Sequence, residues 1–315
     1  MLLDVPLIPD KNYIRFLNVH RTRIYSVHFS LYQADVLDAR YKLRLISTDA
    51  LAGCLKGVPT VLKYLLLNSR IHNPAGYSDK DTLAAIMNTL AQLNDAGLLD
   101  GIIYADAYFL QALSDTTPDI ARKLEAVPSI NCMLDSFEKI RATFDILSSM
   151  HFKPPQKIIL YRGLNRRPEA LSGIAAKCRE NYTAIKLGLL ANEGCIYQCP
   201  YKPAHDALLA IANMNMDVNT HDINQSLGCI RYFLEKPQAI FKSPFIRPED
   251  MQNYEGIVDI IKICGQTLGR DFLERTIQAY AEQRYKGNLL DLMDSLDWMS
   301  DEFHVENGLA PPGFF

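Results

Sequence analysis

Short apolar runs alternate with longer amphipathic segments along almost the whole chain. This rhythm restricts the fold more than any other feature, because consecutive parallel strands need a helical crossover between them. The strand-like runs are Ile24–Leu31, Val61–Leu67, Gly101–Ala105, Val127–Asn131, Lys157–Tyr161, Ala184–Ala191, Ala239–Lys242 and Val258–Ile263. Several are nearly continuous apolar stretches, as expected of strands covered on both faces. Eight strand–helix units predict a (β/α)8 TIM-like barrel rather than an open doubly wound sheet, and no Gly-x-Gly-x-x-Gly follows the first strand.

The intervening segments carry helix boundary signals. Asp79 precedes Leu83, Ile86, Met87, Leu90 and Leu93 at helical spacing, and Gly97 stands where a left-handed cap would end that helix. Asp135 with Glu138 has the spacing of a capping box, and Pro168 and Pro248 suit a first helical turn. No low-complexity linker interrupts the 315 residues, so a single domain is expected: an N-terminal extension over 1–23, the barrel over 24–286 and a tail over 287–315, lying on the barrel surface or partly disordered.

Composition narrows the function classes. With 33 Lys+Arg against 36 Asp+Glu the formal net charge is −3, which gives no footprint for bulk nucleic-acid binding. The N-terminus lacks a positive n-region and a sustained apolar h-region, and no run approaches the roughly 18 apolar residues of a membrane span. A cytoplasmic protein without membrane insertion is expected. Seven cysteines then point to free thiols or metal ligands rather than a disulfide framework.

In a (β/α)8 barrel the chemistry gathers where the strands end. The residues expected there are Asn68, Arg70 and His72; Asp106; Asn131 and Cys132; Arg162, Asn165 and Arg166; Asn192, Glu193, Cys195 and Cys199; Ser243, Phe245 and Arg247; and Lys262 and Cys264. Two thiols four residues apart in the loop Gly194-Cys195-Ile196-Tyr197-Gln198-Cys199-Pro200 suit metal ligation, with Cys229 as a third sulfur. Cys264 ranks first as a fourth ligand, ahead of Cys132, Cys54 and His205, whereas Cys178 ends a helix at the opposite end of the barrel. The donor set suits an iron–sulfur cluster, with zinc as the alternative. Tyr201 and Lys202 stand where a radical-SAM signature would place its third cysteine, which disfavours that chemistry.

Three stretches in order resemble the collagenase-like U-32 peptidase family over roughly residues 60 to 290. They are Asn192-Glu193-Gly194-Cys195-Ile196-Tyr197-Gln198-Cys199-Pro200, Lys242-Ser243-Pro244-Phe245-Ile246-Arg247-Pro248-Glu249-Asp250, and Ile261-Lys262-Ile263-Cys264-Gly265. Ser243, Glu249-Asp250 and Lys262-Ile263 match the family pattern in place. Cys264 stands at the usual Glu, Gln266 at the usual Arg, and the family's additional upstream cysteines are absent. The resemblance implies a TIM-like barrel carrying an oxygen-sensitive [4Fe–4S] cluster, with Cys195 and Cys199 among its ligands. It also implies oxygen-independent hydroxylation, in some members with prephenate as oxygen donor.

The resulting expectation is an iron–sulfur enzyme acting by a redox or hydroxylation reaction on an anionic small molecule, peptide or nucleotide. Arg162, Glu193 and Lys262 are the candidate catalytic residues, and Arg70, His72, Asn131, Arg166, Asn192 and Ser243 the candidate substrate-binding ones. The guanidinium groups of Arg70, Arg162 and Arg166 suit a carboxylate or phosphate. An electron-transfer or scaffold subunit that docks a partner protein is the alternative. Peptide hydrolysis comes third, since no Gly-x-Ser-x-Gly or His-Glu-x-x-His occurs.

Overall fold

The computed structural model describes residues 1–32, 37–39, 45–58, 61–215 and 219–311. Eight parallel strands follow one another as β1 (Leu2–Pro6), β2 (Ile24–Phe29), β3 (Leu62–Leu67), β4 (Gly101–Tyr104), β5 (Glu125–Pro128), β6 (Lys157–Ile159), β7 (Lys186–Leu190) and β8 (Ile260–Lys262). Their order in the sheet is β5-β4-β3-β2-β1-β8-β7-β6. The remaining seam between β5 and β6 is drawn together just ahead of β6, where Ala126 donates its amide to Lys153 O at 3.2 Å and Lys153 donates back to Leu124 O at 2.9 Å. The result is a nearly closed (β/α)8 barrel with helices outside.

Two strand assignments differ from the sequence reading. Leu2–Pro6, expected within an N-terminal extension, is a barrel strand that pairs with both β2 and β8. Ala239–Lys242, expected as the seventh strand, belongs to a 3-10 turn over Pro237–Lys242. Proline at its start supplies a turn-compatible φ and no amide for a ladder. Of Ala239, Ile240, Phe241 and Lys242 only Ile240 is buried, and it joins a separate core rather than the sheet.

Helix boundaries follow local chemistry. The Asp79 carboxylate accepts from the amides of Asp81 and Thr82 to start the helix Lys80–Asp95, and Gly97 adopts φ +68° just past its end. The helix Phe137–Ser148 is capped by Ser136, one residue later than expected, while Asp135 pairs with Lys139 instead. Most of the hydrophobic core lies between strands and helices. A second core of Phe233, Ile240, Phe245 and Ala279 is closed by Leu289, Leu290, Leu292, Met293, Leu296 and Met299 from the C-terminal segment, which is therefore packed along residues 289–299. Among the described residues no helix is long and apolar enough to cross a membrane.

Candidate functional site

Inside the barrel, strands that do not pair in the sheet meet through their side chains. Asp4 on β1 is fully buried and accepts from Lys157 Nζ on β6 at 2.8 Å, with Lys262 Nζ on β8 at 3.3 Å. His28 Nδ1 stands 3.0 Å from the other carboxylate oxygen, and Ser26 Oγ donates to it at 3.1 Å. Lys157 also donates to Ser26 Oγ at 2.7 Å and lies 4.3 Å above the Tyr64 ring. The Asp4 carboxyl is held well below its usual range by Lys157, Lys262 and His28, whose attraction exceeds the cost of its burial. Burial, aided by the charge of Lys262, pushes His28 down to about 3, so the imidazole is neutral. Burial likewise brings Lys157 down to about 8.

Above this floor opens a cavity of about 270 Å³ at the C-terminal ends of the strands. Leu66, Ile103, Val127, Ile159 and Leu190 give it apolar walls. Its rim carries Asn131, Arg162, Glu193, Cys195, Cys199, Cys229 and Cys264, and Lys262 rises into it from the floor.

The loop after β7 brings the first two thiols together, with Gln198 in a left-handed conformation at φ +52°. The Cys199 thiol is pulled down to about 7, first by a hydrogen bond from Cys195 and then by the amides of Tyr201 and Lys202, against the opposing effect of burial. Cys195 is raised well above the usual thiol range by that same hydrogen bond and by burial, with Arg162 and Lys202 working in the opposite direction. Cys229 begins the helix Cys229–Glu235 and is raised by burial and by the charge of Cys195. Three sulfurs thus influence one another directly. Cys264 is 8% exposed, and its amide is fixed by Asn192 Oδ1 at 2.7 Å.

The remaining sequence candidates are placed around this rim. Arg162 pairs with Glu193, while its buried Nε has no hydrogen-bond partner among the described residues. Asn192 donates to Cys264 O at 2.9 Å and Leu292 O at 3.2 Å, tying the ends of β7 and β8 to the C-terminal segment. Arg166 donates to Ser243 O and Phe245 O, and the buried Ser243 hydroxyl accepts from the Phe245 amide. Arg70 pairs with Asp206 at 2.9 Å, whose other oxygen holds Lys202. His72 stacks on Phe109 with ring centroids 3.9 Å apart and is lowered to about 4 by burial. Arg70, His72, Arg166, Asn192 and Ser243 therefore lie behind the cavity surface. Cys54 and Cys178 sit in the outer helices Thr48–Lys56 and Pro168–Asn181, and Cys132 donates to Tyr104 O at 3.5 Å.

Sequence reasoning missed Asp4, His28, Lys157, Lys202 and Asp206. For the first three the usable signal is a charged or imidazole side chain inside a short apolar run, as in Leu2-Leu3-Asp4-Val5 and Lys157-Ile158-Ile159. A buried strand accepts such a residue only with a partner.

The donor set is all sulfur, which suits iron or zinc. Among the described residues no group of three or more His, Cys, Asp or Glu side chains is arranged to hold a metal ion.

No protein-family model matches the chain. Over 219 residues the chain is 31% identical to "Uncharacterized protease MJ1657" of Methanocaldococcus jannaschii, a stretch covering 69% of this chain and 59% of that relative. The chain thus matches little more than half the length of the relative. Its backbone is similar to that of the U32 peptidase Mk0906, with a TM-score of 0.54 over 84% of this chain and 94% of that one, at 14% identity. The latter is a likeness of fold; the identity to the archaeal relative, over more than two thirds of the chain, carries the kinship, and the chain belongs to the U32 peptidase family.

Proposed function

We propose that this protein is a cytoplasmic iron–sulfur enzyme that carries out an oxygen-independent redox or hydroxylation reaction on an anionic substrate bound in the barrel cavity. The observation that carries this reading is the convergence of Cys195, Cys199, Cys229 and Cys264 on one cavity at the end of the barrel where such folds do chemistry. Cys195, Cys199 and Cys229 would hold the cluster, and Cys264 would either complete it or leave one iron open. When bound, the cluster supplies one-electron chemistry at a Lewis-acidic iron.

The chain's own residues prepare that site. Arg162 and Lys202 offset negative charge on the sulfurs, as their effect on Cys195 indicates. Glu193 keeps Arg162 at the rim, and the Lys202–Asp206–Arg70 ion pairs anchor the helix that follows the cysteine loop. Apolar walls exclude water and strengthen every charge interaction within.

Anaerobic purification with iron and sulfide analysis and an electron-resonance spectrum tests the proposal. Wild-type protein is expected to contain iron and acid-labile sulfide, and Cys195→Ala to lose most of both. Colourless, iron-free wild-type protein from strictly anaerobic cells would overturn it.

Peptide hydrolysis is the second reading. It is supported by the depressed Cys199 thiol and by the protease name of the archaeal relative. A metal-free protein that cleaves peptides and loses this activity on Cys199→Ser would establish it in place of the first.

A further inference from the structure

On the floor of the cavity two ammonium groups share the Asp4 carboxylate. Asp4 supplies one negative charge, Lys157 and Lys262 each a positive one, and His28 is uncharged. The next carboxylate, Glu125, accepts from the Tyr64 hydroxyl at 3.0 Å and the Gln156 amide at 3.2 Å, and its charge acts on Lys157. Lys157 thus feels two carboxylates, whereas Lys262 shares the one it has, and an incoming anion would give it a partner of its own.

The two ammonium groups are not equivalent. Lys157 is inaccessible and closely bonded, at 2.7 Å to Ser26 and 2.8 Å to Asp4. Lys262 faces the cavity with 8% of its side chain exposed. Lys262 Nζ stands 3.0 Å from His28 Nδ1 and 3.3 Å from Nε2, so it donates to one imidazole nitrogen, and it lies 3.3 Å from Asp4. The Asp4 contact is long, and of the three donors of the ammonium only two are engaged by Asp4 and His28. The lysine that meets the cavity is therefore the one with donor capacity left over.

We propose that Lys262 seats the carboxylate of a small organic monoacid, whose apolar body lies against Leu66, Ile103, Ile159 and Leu190 and whose far end reaches the cysteine-bearing rim. A single cavity-facing ammonium matches a monoanion better than a phosphate dianion. A volume of about 270 Å³ holds a small molecule rather than a folded chain. Arg162 lines the same cavity, and its Nε, without a hydrogen-bond partner among the described residues, offers a second donor for a polar group of the ligand. The arginines singled out from the sequence already hold protein groups, Arg70 to Asp206 and Arg166 to Ser243 and Phe245.

This inference rests on the reading of the cavity as a substrate site, but it requires no metal, so it is tested on metal-free protein. Calorimetric titration with benzoate, its neutral isostere benzamide and inorganic phosphate, at equal ionic strength, measures the seat directly. Benzoate is expected to bind at least about tenfold more tightly than either competitor, and Lys262→Met to remove that preference. The variant leaves Asp4 paired with Lys157, so folding is expected to survive. Should it not fold, 4-bromobenzoate in wild-type crystals gives the answer through the anomalous signal of bromine within this cavity and its carboxylate at Lys262 Nζ. Equal binding of benzoate and benzamide, no benzoate binding at millimolar concentration, phosphate binding as tightly as benzoate, unchanged affinity in Lys262→Met, or bromine located elsewhere would each overturn the proposal. An iron-free protein that still shows the benzoate preference leaves the seat standing and removes only the cluster.

Discussion

Asp4 and Lys157 meet at 2.8 Å inside the barrel, although β1 and β6 lie three places apart in the sheet. Each strand reaches the other only across the interior, so this ion pair exists only once the barrel has curled nearly shut. Asp4→Ala leaves two buried ammonium groups without their carboxylate and is expected to destabilise the fold by about 3–5 kcal/mol. Lys157→Met, which leaves Asp4 its contacts with Lys262, His28 and Ser26, should cost less, and adding it to Asp4→Ala should recover part of the loss. Urea midpoints of the three variants measure this; a double variant no more stable than Asp4→Ala would contradict it.

His28 gives the acid limb of stability a defined sign. Its folded pKa of about 3 lies below the roughly 6.5 of an unfolded imidazole, so between these values the unfolded chain binds the extra proton. Stability is therefore lost as pH falls from 6.5 towards 3, at about 1.4 kcal/mol per pH unit from this residue. In His28→Gln the curve should be flatter by that amount across the same window, with denaturant unfolding at several pH values as the measurement. Parallel curves would show that the imidazole titrates freely in the folded protein.

Gly194 links the cysteine loop to the C-terminal segment through close approach rather than through backbone strain. A Cβ there would lie 2.7 Å from Leu296 Cγ and 2.8 Å from Cδ1. Gly194→Ala is expected to cost about 1–3 kcal/mol through overpacking. The cost should shrink when Leu296→Ala is also present, giving a favourable coupling in a double-mutant cycle. Strict additivity would mean that the two segments adjust independently.

Arg247 is among the largest fully buried side chains, and it fastens the end of the described chain. It holds Asp250 through two nitrogens and donates to Ala310 O and Pro311 O at 2.9 Å each. Arg247→Met should release the segment from 307 onward and raise its rate of limited proteolysis by about tenfold or more, the equivalent of 1.4 kcal/mol of lost docking. Mass spectrometry of the early fragments reads this out, and cleavage sites and rates identical to wild type would count against it.

The barrel was legible because burial on both faces writes itself into apolar runs, and seven of the eight expected runs coincide with strands. The failures have definite causes. Ala239–Lys242 is apolar enough for a strand, but Pro237 opens a 3-10 turn just before it, and the segment packs against the C-terminal core. Leu2–Pro6 was assigned to an N-terminal extension; it carries a charged residue at its centre, and only Lys157 and Lys262, far away in sequence, make Asp4 acceptable in a buried strand.

The amino-acid sequence by itself determined the barrel class, seven of its eight strands, the Cys195–Cys199 loop and its location at the C-terminal end of the barrel. Local periodicity, caps and spacing act over a few residues and can be read without knowing the rest. Only the tertiary structure decided that Cys229 and Cys264 line the same cavity as that loop, that Arg70 and Arg166 are committed to protein partners, and that Lys262 is left facing the ligand space. Those outcomes depend on which distant strands face one another across the interior, because the worth of a buried charge is set by its partners rather than by its neighbours along the chain.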